Sequence, residues 1–335
     1  MKAVLFEKHG SIDNLQYVED FPEPEVGDQE CLLRVHAVAL NGFDPMILNG
    51  IPGLNIPLPM IPGGDIAGEI AALGHGIDAR TWHVGDRVSV MPLRPPKMFG
   101  ETLRGGCCEY ISIPVSNLLP IPDEVSYEEA AALPVAYGTA HRMMVTRGKV
   151  ARGESVLILG ATGGVGTCCV QLAKDAGAEV IACGSSKIKT DRLRTLGADH
   201  VIDTSVQNFV EEAIRLYGKP RVWGDSGGID VVVNYIGGDT WAKSLRALKR
   251  DGRMLTCGAT AGFGPATDIR YIWSFEQHII GSNGWTAEDQ ATLLRMVASR
   301  RIVPVIGSVR PLAEMKTSMQ ELINRDLFGK AILTV

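Results

Sequence analysis

The stretch that most constrains this chain is SVLILGATGGVGTCC, Ser155 to Cys169. An unbroken apolar run reads as a buried strand, and the residues after it read as a helix. Between them lie Gly160, Gly163, Gly164 and Gly166. Set against G-x-G-x-x-G the match is Ala161-x-Gly163-x-x-Gly166, with alanine at the first glycine. A strand–turn–helix of this kind suits a dinucleotide. Small residues let the backbone approach a pyrophosphate, and the helix N-terminus offers unpaired N–H groups. We therefore assign Gly160, Thr162, Gly163, Gly164, Val165 and Gly166 to cofactor binding.

The second strand of such a unit usually ends on an acid that holds the ribose hydroxyls of NAD. Here the chain reads CGSSKIKTDR, with no acid at that point. Ser185, Ser186, Lys187 and Lys189 stand there instead, and Arg192 follows one turn on. Hydroxyls and cations suit a 2′-phosphate, so NADPH is the expected cofactor.

From Gly153 onward, strand-like runs (EVIACGS, HVID, IDVVVNYIG, RMLTCGAT) alternate with helix-like ones. That alternation predicts a parallel sheet covered on both faces. Ligands of such sheets lie beyond the carboxyl ends of the strands, which adds Tyr235, Gly237, Gly258, Ala259 and Asn283 to the expected cofactor residues. The first third is different. Short β-like runs such as CLLRVHAVAL and DRVSVMPL are broken by Gly and Pro, as in a mostly-β domain. At 335 residues, two domains are expected. A net charge of −5 gives no basic surface for nucleic acid. No apolar run is long enough to span a bilayer, and MKAVLFEKHG lacks the apolar core of a secretory leader, so a cytoplasmic protein is expected. The seven cysteines include no Cys-x-x-Cys and read as reduced core thiols.

Taken together, ALNGFD, PGGDIAGEIAALG, GDRV, GGCCEYISIP, AAALPVAYGTAH, GATGGVG, LGADHVID, NYIGG and GKAILTV resemble the medium-chain dehydrogenase/reductase superfamily, and within it the zinc-independent quinone oxidoreductase and enoyl reductase branch. The resemblance covers essentially the whole chain. It implies an α/β protein with a GroES-like, mostly-β catalytic domain over residues 1–124 and 287–335. A doubly wound Rossmann domain is implied over 125–286, with nicotinamide and substrate in the cleft between the two. Asn41, Asp44 and Tyr137 are the implied catalytic residues: an amide donor to a carbonyl, a carboxylate for a ribose hydroxyl or water, and a phenol donor. The residues leave Asx-turn chemistry open for the first two and core packing open for Tyr137. Lys330 is implied to reach the cofactor, with solvent exposure as the alternative.

Where zinc-dependent members place their metal ligands, this chain has Asn41, Gly64 and Asp65, so no metal is expected. The implied activity is NADPH-dependent reduction of a C=C bond or quinone in a small, apolar, carbonyl-activated substrate. Zinc-free carbonyl reduction, or cofactor binding with little catalysis, remain the alternatives. A homodimer through the edge of the nucleotide-binding sheet, near HIIGSN, is also implied.

Overall fold

The apolar runs after Gly153 form one parallel sheet in a computed structural model, which describes residues 1–78 and 80–335. Its strands are β1 (Ser155–Ile158), β2 (Glu179–Gly184), β3 (His200–Asp203), β4 (Ile229–Val233), β5 (Leu248–Thr256) and β6 (His278–Gly281). They lie in the order 3-2-1-4-5-6, every neighbouring pair parallel. This is the order of a doubly wound Rossmann sheet. Val156, Leu157, Ile158, Val231, Val232 and Val233 are fully buried, which is why these strands are apolar throughout rather than alternating. Helices α1 (Gly164–Ala176), α2 (Lys187–Thr195), α3 (Phe209–Tyr217), α4 (Thr240–Ala247) and α5 (Ile269–Ser274) connect the strands. At the far edge, β6 is largely exposed.

This sheet belongs to a unit spanning Gly138–Thr286. The other unit comprises Met1–Tyr137 and Ala287–Val335. Its sheet runs Ile306–Pro311, Lys330–Thr334, Glu30–Leu40, Asp65–Leu73, Arg87–Val90, Leu118–Pro120, and Tyr110–Pro114 also pairs with Glu30–Leu40. The mostly-β reading of the first third and the return of GKAILTV to it are both seen here. Leu33, Val38, Ile66, Ile70, Val88, Ile113 and Leu333 form its core.

The first unit runs on to Tyr137, past the junction expected at 124. The reason is local. Ser126 caps the helix Tyr127–Ala131 in a reciprocal capping box with Glu129, so the helix begins just past that junction. Arg300 then pairs with Glu129 and donates to the Glu124 carbonyl. The following turn is tied down by Val135 N–H, which donates to Asp65.

Candidate active site and cofactor site

Strand register assembles the polar centre of the first unit. The long Glu30–Leu40 strand has antiparallel neighbours on both sides, with Leu40 opposite Ala331 and Ala39 opposite Asp65. Its end therefore meets the beginnings of two other strands. Asn41, Asp65 and Lys330, up to 289 residues apart in sequence, become neighbours in this way. Lys330 Nζ donates to Asn41 Oδ1 at 2.5 Å and to Asp65 Oδ2 at 3.0 Å. Asn41 Nδ2 donates to the same Asp65 oxygen at 2.9 Å, while Asp65 Oδ1 accepts the Val135 N–H. Asp65 is 0% exposed and Lys330 2%. The pairing is what permits such burial: a lone charge there would ionise only at a heavy desolvation penalty.

Asp44 completes the group. Its Oδ2 accepts the Asn41 backbone N–H at 2.6 Å, and the Asp44 N–H returns to the Asn41 carbonyl. The turn is closed by the Asp44 carboxylate reaching back three residues to the Asn41 N–H, which is not the Asx turn that the sequence left open. Oδ1 has no hydrogen-bond partner in a fully buried site. Burial pushes the Asp44 carboxyl up to about 7; the Asn41 N–H opposes this, the Asp65 charge adds to it, and Lys330 and Gly63 N–H lower it.

Tyr137 is fully buried, and its hydroxyl accepts the Val305 N–H at 2.8 Å. That is the placement of a core tyrosine. Lys330 is not the exposed side chain that the sequence left open: it is buried, with its ammonium on Asn41 and Asp65. Asp65 is the member of this centre that motif reading did not assign a catalytic part. The strand register that selects it is not visible in one sequence.

In the second unit the glycine loop closes β1 onto α1. Gly163 is the N-cap of α1. A Cβ on it would meet nothing nearer than the Gly160 carbonyl at 3.9 Å, so the ledge above the helix N-terminus is open. A Cβ on Gly166 would lie 2.3 Å from that carbonyl and 2.5 Å from Ala161 Cα, so only glycine fits. An open ledge of N–H groups over a closely packed strand–helix turn fits a pyrophosphate. Thr162 and Val165 flank the ledge, half-buried.

Tyr235 supports this loop from beneath. Its hydroxyl donates to the Gly160 carbonyl at 2.6 Å, and burial pushes the phenol well above its ordinary range. Asn234 shapes the adjoining turn: Oδ1 accepts from Ile236 and Gly237, and Nδ2 donates to Thr240 and Ser244. Gly237 packs against the 259–262 loop, which contains Ala259. Gly258 and Asn283 lie beyond the ends of β5 and β6 and line one open pocket. Trp285 is buried with its ring against Gly138.

Beyond β2, Ser185 is exposed and Ser186 caps α2, its Oγ accepting the Lys189 N–H at 3.4 Å. Lys187 pairs with Asp191 at 2.7 Å. These residues stand together at the carboxyl end of β2, where a nucleotide ribose would be held.

Among the described residues no group of three His, Cys, Asp or Glu side chains could hold a metal ion. Among them, too, no helix is long and apolar enough to cross a membrane.

A Rossmann unit with an open phosphate ledge and a β unit with a buried amide–carboxylate–ammonium centre, carried by one chain, are the parts of a nicotinamide-dependent oxidoreductase. Comparisons with known proteins agree. Residues 27–123 match the family model "Alcohol dehydrogenase GroES-like domain", and residues 164–299 match "Zinc-binding dehydrogenase". The chain is 29% identical to crotonyl-CoA reductase of Streptomyces avermitilis, over 89% of this chain and 77% of that one. It is 28% identical to human quinone oxidoreductase, over 99% and 97%. A solved NAD-dependent alcohol dehydrogenase superposes with a TM-score of 0.92 at 31% identity, covering 100% of both chains. The chain belongs to the medium-chain dehydrogenase/reductase superfamily.

Proposed function

We propose that this chain is an NADPH-dependent reductase that delivers hydride to an activated C=C bond or a quinone without a metal ion. The observation that carries this reading is the Asn41–Asp65–Lys330 centre. A catalytic zinc needs three N, S or O donors and an open position. Here both Asp65 oxygens are already engaged, and the positive charge beside Asn41 is an ammonium. Lys330 can only donate, so the Asn41 carbonyl must face it and the amide nitrogen must face Asp65. One amide N–H remains to donate to a substrate oxygen. Such a donor suits an enone or quinone, whose oxygen gains charge as hydride adds at the conjugated carbon. NADPH supplies that hydride when bound. Asp44 Oδ1 accepts a hydroxyl or holds a proton in reach of this centre.

NADPH is preferred to NADH because the end of β2 carries Ser185, Ser186, Lys187 and Lys189 and no acid. The crotonyl-CoA reductase and quinone oxidoreductase relatives support the alkene and quinone reading. The likeness to an alcohol dehydrogenase supports carbonyl reduction as the second reading.

The deciding measurement is NADPH oxidation with ethylideneacetone, a quinone and an unactivated ketone, chelator present, followed by product analysis. Saturated ketone from ethylideneacetone, or hydroquinone from the quinone, is expected. Alcohol from the unactivated ketone alone would replace the first reading by the second. A homodimer is part of the proposal, supported by the exposed edge strand β6 and by exposed Ile279, Ile269 and Trp273 nearby in sequence.

A further inference from the structure

We infer that Asp44 works as a neutral carboxylic acid, and that its proton keeps the Asn41 centre able to take up negative charge on an acceptor. The inference rests on the reductase reading for its acceptor, but the state of Asp44 is argued from the packing of the first unit.

Two carboxyl groups and one ammonium are buried together. Asp44 and Asp65 are 0% exposed and Lys330 is 2% exposed. The ammonium is committed to one of the two acids, because Lys330 Nζ donates to Asp65 Oδ2 at 3.0 Å and to Asn41 Oδ1 at 2.5 Å. Asp65 also accepts the Asn41 amide and the Val135 N–H, so both of its oxygens are filled. Asp44 receives far less. Its Oδ2 accepts the Asn41 N–H at 2.6 Å, while Oδ1 has no partner and is sealed from solvent. Ionised, Asp44 would put a second negative charge on one ammonium and leave a charged oxygen without a donor. Neutral, it leaves one uncharged polar atom unpaired, which is the smaller penalty. One ammonium and two buried acids balance only when one acid keeps its proton, and the hydrogen bonds assign that proton to Asp44.

The groups that bear on Asp44 come from every element packed around it. Its own turn supplies the Asn41 N–H, the segment before the strand Asp65–Leu73 supplies the Gly63 N–H, and that strand supplies Asp65. The last strand supplies Lys330, and the 105–108 segment supplies the Cys107 thiol. Burial holds that thiol well above its ordinary range, so it adds no charge. Burial is also the largest influence on Asp44 and raises it. The Asn41 N–H opposes this, Asp65 adds to it, and Lys330 and the Gly63 N–H oppose it, which leaves the carboxyl at about 7.

The consequence falls on Asn41. The amide N–H that Asp65 leaves over meets an acceptor oxygen that gains negative charge as hydride adds. With Asp44 neutral, the buried group of Asp44, Asp65 and Lys330 carries no net charge. Once Asp44 loses its proton, the group carries one negative charge beside that amide, where little water screens it from the growing charge on the acceptor. Turnover therefore falls as pH rises through the Asp44 transition. Asp44 does not hand its proton on, because the free oxygen is sealed. It acts through Asn41, as a positioning residue whose charge sets how well the amide works.

The test uses the intact protein with saturating NADPH. Turnover of ethylideneacetone is followed from mildly acidic to mildly basic buffer for wild type and Asp44→Asn. Wild type should lose about tenfold or more across that window, as one added charge at close range would cause. The ratio of the two ends should stay within about twofold in Asp44→Asn, which cannot ionise. Infrared difference spectra between the same buffers supply a readout that does not depend on turnover. Wild type should show a protonated-carboxyl band that disappears in basic buffer, and Asp44→Asn should lack it. Glu101→Gln removes the other carboxyl that burial raises, and it should keep the band, which holds the assignment even if Asp44→Asn fails to fold. A wild type without the band, loss of the band in Glu101→Gln, or an Asp44→Asn profile that follows wild type overturns the inference. If the band behaves as expected but ethylideneacetone is not reduced, the reductase reading falls and the neutral Asp44 stands.

Discussion

Lys330 has three N–H donors and no acceptor, and this fixes the orientation of the Asn41 amide. The chain thereby turns an ambiguous side chain into a defined donor. Asn41→Ala should lower turnover by roughly the hundred- to thousand-fold seen when one oxyanion donor is removed. NADPH affinity, read by fluorescence titration, should be unchanged. Loss of NADPH binding in that variant would give Asn41 a different part. Asp44 makes a prediction about stability. Its carboxyl is raised to about 7 in the folded chain, against an ordinary 3.8. Between those values the folded state holds a proton that the unfolded state has released, so stability must fall as pH rises through this window. The full difference is on the order of 4 kcal/mol. Asp44→Asn cannot titrate and keeps the acceptor for the Asn41 N–H. Its Tm should therefore decline less than that of wild type between mildly acidic and mildly basic buffer. Parallel Tm–pH curves for the two proteins would show that Asp44 does not titrate there.

At the scale of elements, the glycine loop separates what folding needs from what binding needs. Gly166→Ala forces a methyl group into the Gly160 carbonyl and the Ala161 backbone. It should destabilise the second unit by a few kcal/mol, as overpacked contacts do, and should be visible as a lowered Tm. Gly163→Ala adds a methyl group to open space. Its Tm should stay within a degree or two of wild type, yet NADPH should bind at least about tenfold more weakly, because the methyl group stands where phosphate must approach the backbone. Equal NADPH affinity in Gly163→Ala would place the pyrophosphate elsewhere. This loop was legible in the sequence because strand, turn and helix are local. The part played by Tyr235 was not. Its phenol reaches back 75 residues to the Gly160 carbonyl, which makes it a prop for the ledge.

At the scale of the whole molecule, β6 leaves a row of backbone groups at an open sheet edge, and Ile279 is 39% exposed on it. Pairing with β6 of a second copy would satisfy both edges. Light scattering should give a dimer for wild type, and Ile279→Lys should shift it toward monomer, since an edge lysine opposes strand addition. A wild-type mass near 36 kDa would exclude the dimer.

The sequence by itself determined the kind of fold and the kind of ligand. Apolar runs of strand length alternate with helices because both faces of a parallel sheet are buried, and four glycines mark a turn where strand and helix pack closely. These are properties of neighbouring residues, so they survive in one dimension. Only the tertiary structure decided what the singled-out polar residues do. Tyr137 was a phenol to be placed, and packing put it in the core on Val305. Lys330 was a cation near the last strand, and strand register put it between Asn41 and Asp65. Hydrogen-bond partners are chosen by which strand lies beside which, and that choice is made by burial across the whole sheet.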